Sequence, residues 1–400
     1  MSGVCASGSP DLKGLTMQPD AFRSTDRGVV RRTLEGHRAF YPHPLPRRLD
    51  LPQEVVKDLD EATGAVHRLG GVGSLLPNPH LLIGPYLRIE AVLSSRIEGT
   101  RTELPELLRN EAGEGRTTTD DLREVANYIV AMEHGLQRLR EGFPMSMRLL
   151  CEMHERLLTG ARGHYKRPGE LRDRSNWIGG TNPTDAVFVP PPPDAMSETL
   201  TDWERFLHEN ELPLLIQLGL AHYQFEVIHP FSDGNGRIGR LMIPLMLIWR
   251  GAMTQPLLYL SAFFEQYRDE YFDLLLRTSQ HGDLLPWIRF FLRGVMRQAV
   301  DTERRTIRLV KLQQELRDDL LAENRATSVV RLAEQLFTSP FVTASRVSKH
   351  LGVTPPTAYA AINTLVERGD LIEVLSAGRS RLYQAPTIYQ AGYGPLDPES

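Results

Sequence analysis

The stretch "HPFSDGNGRIGR", residues 229–240, sets three glycines, a histidine, an aspartate and two arginines between two apolar runs, "LPLLIQLGLAHYQFEVI" and "LMIPLMLIW". Both runs suit helices, and glycine weakens a helix interior, so the stretch reads as a loop joining two helices. Gly234 and Gly236 let the backbone turn its N–H groups toward one point and let a ligand come close. Arg237 opens the following helix, whose N-terminal N–H groups and dipole favour an anion. Successive N–H groups in such a turn form a concave nest for phosphate. Arg237 and Arg240 share one helix face and add charge-assisted contacts. Asp233 would repel phosphates unless a magnesium ion lay between them, and hard oxygen ligands are what that ion takes. His229, a neutral imidazole beside a polyphosphate, is suited to take a proton from an incoming hydroxyl.

Other nucleotide fingerprints are excluded. The chain has no GxxxxGK[ST], and nothing strand-like precedes the loop, so neither a P-loop nor a Rossmann turn fits. A net charge of −4 gives no global pull toward nucleic acid or anionic lipid. The two cysteines, Cys5 and Cys151, stand far apart, which argues against a disulfide scaffold or zinc site and suits a reducing compartment. The first twenty residues lack the apolar core of a signal peptide, and "LMIPLMLIW" is far short of a membrane span. The expectation is a soluble, cytoplasmic protein with no membrane partner.

Outward from the loop, the apolar spacing is that of helices, and the expected fold class is mainly α. Residues 1–45 mix Gly, Ser, Pro and Arg without periodicity and read as irregular. Residues 46–115 form an N-terminal helical region, with one helix closed by Gly70-Gly71 and another stopping at Gly99. Residues 116–300 form the core around the glycine loop, and 301–325 a connecting helix. Within the core, "NWIGGTNPTDAVFVPPPP" reads as a β-hairpin leaving through an extended proline strap. Pro244, in the helix after the loop, is expected to kink it. Residues 326–388 read as helix, helix-turn-helix and hairpin, the order of a winged helix, with Thr343 as a cap and Gly369 as a stop; 389–400 are a tail.

The stretch 229–240 resembles the signature of the Fic-domain family, HxFx(D/E)GNGRxxR, at every specified position. The likeness extends over roughly residues 75–390: "GELRDRSNWIGG" with "AVFVPPPP" resembles the family's flap hairpin, and the winged helix a domain appended to many bacterial members. Residues 1–45 are not covered. The resemblance implies an all-helical core with a small hairpin flap, transferring AMP from ATP to a Tyr, Ser or Thr hydroxyl of a protein. By position, His229 is then the general base and Asp233 the magnesium ligand. Gly234, Asn235 and Gly236 cradle the phosphates, Arg237 and Arg240 hold the β- and γ-phosphates, and Phe231 packs inward. Gly236 favours adenylyl over phosphoryl transfer, since members that move a phosphate depart from Gly-Asn-Gly.

"SSRIEG", residues 94–99, matches the family's inhibitory pattern [ST]xxxE[GN] through Ser94, Glu98 and Gly99. The implied device is a salt bridge from Glu98 to Arg240 that removes the γ-phosphate ligand. The hairpin at 176–190 is the expected dock for the target, which can add to an exposed edge as a further strand. "SAFFEQYRDEYF", residues 261–272, either walls the adenine with aromatics or belongs to the core. The winged helix shows Thr354, Thr357, Tyr359 and Asn363, flanked by Arg346, Lys349, Arg379 and Arg381, and fits DNA or protein docking about equally. Removal of AMP from modified protein, and a DNA-associated regulator with an ATP-sensing core, are the alternative functions. Self-modification and homodimerisation stay open.

Overall fold

The computed structural model describes residues 17, 19–74, 80–112, 119–161, 165–377 and 380–394. Cys5 and Arg379 lie outside the described residues. The order of elements is β1 (Gly28–Arg32), β2 (Arg38–Pro42), α1 (Gln53–Ser74), α2 (His80–Ile97), α3 (Leu104–Glu111), α4 (Asp120–Arg140), α5 (Met147–Leu158), α6 (Pro193–His208), α7 (Leu214–Ile228), α8 (Asn235–Trp249), α9 (Ser261–Gln266), α10 (Arg268–His281) and α11 (Leu285–Ala322). The C-terminal part adds α12 (Thr327–Leu336), β3 (Phe341–Thr343), α13 (Ala344–Leu351), α14 (Pro355–Glu367), β4 (Ile372–Ala377), β5 (Ser380–Gln384) and α15 (Pro386–Tyr393). The fold is mainly helical, as its sequence patterning requires.

Local chemistry starts the helices. Thr119 accepts from the Leu122 N–H to cap α4, Ser146 from the Leu149 N–H to cap α5, and Thr343 from the Arg346 N–H to cap α13. The proline strap ends where Pro193 takes the first position of α6, needing no donor there. The central pair is α7 and α8. Nearly every residue of α7 is buried, and Asn235 to Leu247 of α8 are buried without a break. A helix that is apolar all round must be enclosed by others. Around this pair α2, α4, α5, α6, α10 and α11 supply a continuous core that reaches from Phe40 to Ala391.

Several details differ from the sequence reading. Residues 28–42 are not irregular: β1 and β2 form an antiparallel hairpin, with Gly28 opposite Pro42 and Arg32 opposite Arg38. The hairpin holds because the Phe40 ring packs at a tilt against Phe22 and Phe188 and its N–H donates to Val189 O at 2.9 Å, contacts no local pattern announces. α1 runs through Gly70-Gly71 to Ser74, since both glycines keep helical backbone. The boundary drawn at residue 300 falls inside α11, one 38-residue helix. The hairpin at 176–190 has a single bridge, Ile178 to Phe188, rather than a ladder. α8 continues through Pro244 to Trp249. In the C-terminal part the three strands lie in the order β3-β5-β4, with α12, α13 and α14 packed together beside them.

Candidate functional site

A cleft of about 1210 Å³, open to solvent, lies at the junction of α7 and α8 and is lined by His229, Ser232, Asp233, Gly234, Asn235, Gly236, Arg240, Glu98 and Glu226. One wall is the flap, through Asn176, Trp177, Ile178, Val187 and Phe188; the other is α10, through Phe272, Leu275 and Leu276. The stretch 229–240 is thus the floor of the cleft.

His229 ends α7 in the left-handed region, φ 51°, its N–H still bonded to Phe225 O. Nδ1 lies 3.2 Å from Glu226 O. A carbonyl can only accept, so Nδ1 carries the proton and Nε2 keeps the lone pair. Burial pulls the ring's pKa down to about 4, so the imidazole is neutral and its Nε2 lone pair is free at neutral pH. Gly234, at φ 77°, turns the chain into α8. Asn235 closes the loop on itself: its Oδ1 accepts from Phe231 N and its Nδ2 donates to Phe231 O, each at 2.8 Å. The Asn235 amide is therefore spent on shaping the loop, and its backbone N–H is what remains for a ligand. Phe231 is fully buried and stacks on His154 with ring centres 3.9 Å apart.

Glu98 sits directly over this floor. A Cβ at Gly236 would overlap Glu98 Oε1, so glycine is what lets a carboxylate approach the start of α8. Arg240 donates through Nη2 to Glu98 Oε1 at 2.6 Å, and through Nε and Nη2 to Ser94 Oγ and Ser94 O at 2.8 and 2.9 Å. Burial alone would raise the Glu98 carboxyl, but Arg240 beside it outweighs that and holds it below the ordinary carboxylate range. Gly99, at φ 94°, ends the segment. Arg237 takes a different place. Its guanidinium, 4% exposed, bonds Glu124 Oε2 at 3.2 Å and Asp233 Oδ1 at 3.4 Å and does not line the cleft. Asp233 Oδ1 also accepts from Gly234 N at 2.6 Å. Among the described residues no three His, Cys, Asp or Glu side chains gather as a metal site. One partly exposed carboxylate facing the cleft does fit magnesium, which takes one or two carboxylates and completes its shell with phosphates and water.

Sequence reading missed three residues here. Arg172, 3% exposed, donates Nε to His229 O, Nη1 to Arg174 O, and Nη2 to Pro191 O and Ile228 O. It ties both ends of the flap to the C-terminus of α7, where free carbonyls welcome a cation. His154, fully buried in α5, bonds the Asp233 carbonyl. Glu226 faces the cleft from α7, and burial raises its carboxyl to about 8. Nothing local marks any of them; an arginine in "GELRDR" or a histidine in "EMHERL" reads as an ordinary side chain. Of "SAFFEQYRDEYF", Phe263, Phe264 and Tyr271 are buried in the core, and Phe272 lines the cleft.

Residues 56–137 match the Fic/DOC family N-terminal domain and residues 144–247 the Fic/DOC family domain. The chain thus carries two adjoining domains that match those of the Fic/DOC family. Relatives named "Protein adenylyltransferase Fic" include one from Drosophila yakuba, 30% identical over 176 residues, 43% of this chain and 32% of the relative. Another, from Culex quinquefasciatus, is 28% identical over 203 residues, 48% of this chain and 37% of the relative. The chain thus spans about a third of the length of the curated relatives it matches. A crystal structure of a Fic family protein from Desulfovibrio desulfuricans G20 shares the fold, with a TM-score of 0.53 at 20% identity, over 84% of this chain and 97% of that one. Among the described residues no helix is long and apolar enough to cross a membrane.

Proposed function

We propose that the cleft transfers AMP from ATP to a hydroxyl of a target protein and that Glu98 restrains it. The observation that carries this reading is the Glu98 carboxylate seated against Arg240 over Gly236: an internal anion occupies a place built for anions. His229 Nε2, the unprotonated ring nitrogen, takes the proton as the target oxygen attacks the α-phosphorus. The bond from that phosphorus to the bridging oxygen of the β-phosphate breaks, and pyrophosphate leaves. The backbone N–H groups at the start of α8 hold the departing phosphates. Arg240 turns from Glu98 to the γ-phosphate once ATP displaces the carboxylate, and Arg237 holds Asp233 and the loop in place. Magnesium held between Asp233 and the phosphates would neutralise charge on the leaving group.

The flap at 176–190 is the proposed dock for the target backbone. Its extended segment 186–189 is already bonded on one side, Ala186 O accepting from Met17 N and Val189 O from Phe40 N, so the segment 176–178 is the side left for a target. The order of elements over 327–384 supports a winged helix. Its DNA footprint is thin: Arg346 donates to Glu111 O, and Arg381 lies 3.6 Å from Glu373. A protein-facing role suits it better.

The test is label transfer to protein from ATP labelled on its α- or γ-phosphate, with the parent, Glu98→Gly and His229→Ala. Label from the α-position alone, increased at least tenfold by Glu98→Gly and abolished by His229→Ala, is expected. Label from the γ-position would mean a kinase. Loss of AMP from pre-modified protein, with no forward transfer by Glu98→Gly, would move the reading to hydrolysis.

A further inference from the structure

We propose that His154 of α5 is a positioning residue for the metal-binding side of the cleft: it fixes the peptide of Asp233, and through it the carboxylate that meets magnesium. This rests on the proposed reading of Asp233.

The argument is geometric. His154 Nδ1 lies 2.9 Å from the backbone N–H of Gly169, a group that can only donate, so Nδ1 accepts and bears no proton. The proton of the neutral ring is then on Nε2, which lies 2.9 Å from Asp233 O and donates to it. Gly169 thus selects the tautomer that grips Asp233. The ring face is held as well, stacked on Phe231 at 3.9 Å and 12°. Phe231 is in turn bracketed by the Asn235 amide, so the imidazole touches the loop on both sides of its bend. Gly234, between them, would place a Cβ 3.6 Å from His154 Cδ2, so the loop lies directly on the ring.

The consequence is specific to the metal. The Asp233 carboxylate projects from a peptide whose carbonyl is pinned by α5 and whose Oδ1 is held by Gly234 N and Arg237. Freeing the carbonyl lets that peptide rotate and misaims the carboxylate. The Gly234 N–H is already bonded to Asp233 Oδ1, and the Asn235 and Gly236 N–H groups of the anion nest lie beyond the freed peptide and keep the Asn235 bracket. Groups that orient a metal ligand are typically worth about 10–100-fold in metal affinity.

Two substitutions separate this role from simple packing. His154→Gln places an amide nitrogen where Nε2 was and can still donate to Asp233 O. His154→Asn reaches only the Nδ1 position and can still accept from Gly169, but leaves Asp233 O free. Both are made in Glu98→Gly protein, with thermal unfolding recorded to show each is folded. ATP affinity is measured by calorimetry with and without magnesium. Glu98→Gly alone and with His154→Gln should show the same magnesium-dependent gain in ATP affinity. His154→Asn should lose about tenfold of it, with metal-free affinity unchanged. A full gain in His154→Asn, or an equal loss in both variants, overturns the inference and leaves the proposed function standing. No magnesium-dependent gain in Glu98→Gly itself overturns both.

Discussion

At the scale of single residues, the site is a set of charges placed where water cannot relieve them. Arg240 is 1% exposed, and its ionic partner Glu98 reaches the cleft at 31% exposure. Removing that partner leaves a buried guanidinium that keeps its Ser94 contacts but loses the carboxylate bonded to it. We predict that Glu98→Gly lowers the stability of the nucleotide-free protein by about 1–3 kcal/mol, and that ATP with magnesium restores more melting temperature to the variant than to the parent. An unchanged nucleotide-free melting temperature would show that the ion pair adds nothing to the fold. His229 carries a second prediction. Its pKa of about 4, against an ordinary 6.5, means that the base loses its lone pair only as pH falls through about 4. The kcat/KM of Glu98→Gly for ATP should hold to about pH 5 and then fall. An acid limb centred near 6.5 would mean that the ring is far less enclosed in the free enzyme. The same depression makes stability fall between pH 6.5 and 4, since the unfolded chain takes the proton first.

At the scale of elements, the helix that carries Ser94 and the flap are held in different ways. α2 is bolted into the core: Tyr128 donates to the buried Glu90 at 2.9 Å, as do the Ser261 hydroxyl and N–H, while Arg268 donates to Ile97 O at 2.9 Å. Displacing the helix would break all of these, so release by rotation of the Glu98 side chain costs far less than withdrawal of α2. The flap, by contrast, depends on Arg172. Replacing it by leucine strands four carbonyls, and we expect a loss of roughly 2 kcal/mol or more. Backbone hydrogen exchange over 176–190 should quicken, with Arg172→Lys recovering only part. Unaltered exchange would mean that the proline strap alone holds the flap.

Across the whole molecule, the C-terminal part is packed onto the part that carries the cleft. Leu108 and Ala112 of the α3 end form one apolar cluster with Phe341 and Leu382, Thr343 donates to Ala112 O, and α15 lies against α11. α11 packs on α1 and α7 on one side and on α12 and α15 of the C-terminal part on the other. With the core continuous, the full chain should unfold in a single calorimetric transition, and a chain ending at Arg325 should melt several degrees lower. Two separate transitions would show that the parts are energetically independent. This packing also bears on DNA binding, because it engages Arg346, one of the cations a nucleic acid would need.

The sequence alone determined the helical class and the loop at 229–240, and it pointed to His229, Asp233, Gly236 and Arg240 as the residues to place there. These depend on neighbours within a few residues, where glycine, capping and periodicity act directly. It also named Glu98 and Arg240 as partners, through resemblance rather than spacing, since 142 residues separate them. Tertiary structure decided what each polar atom bonds. It spent the Asn235 amide on the loop and turned Arg237 toward Glu124. It also brought Arg172 and His154 under the floor of the cleft and completed the hairpin at 28–42 against the flap. Each outcome depends on the direction a side chain takes when separate helices meet, and buried donors and acceptors must find partners wherever the packing puts them.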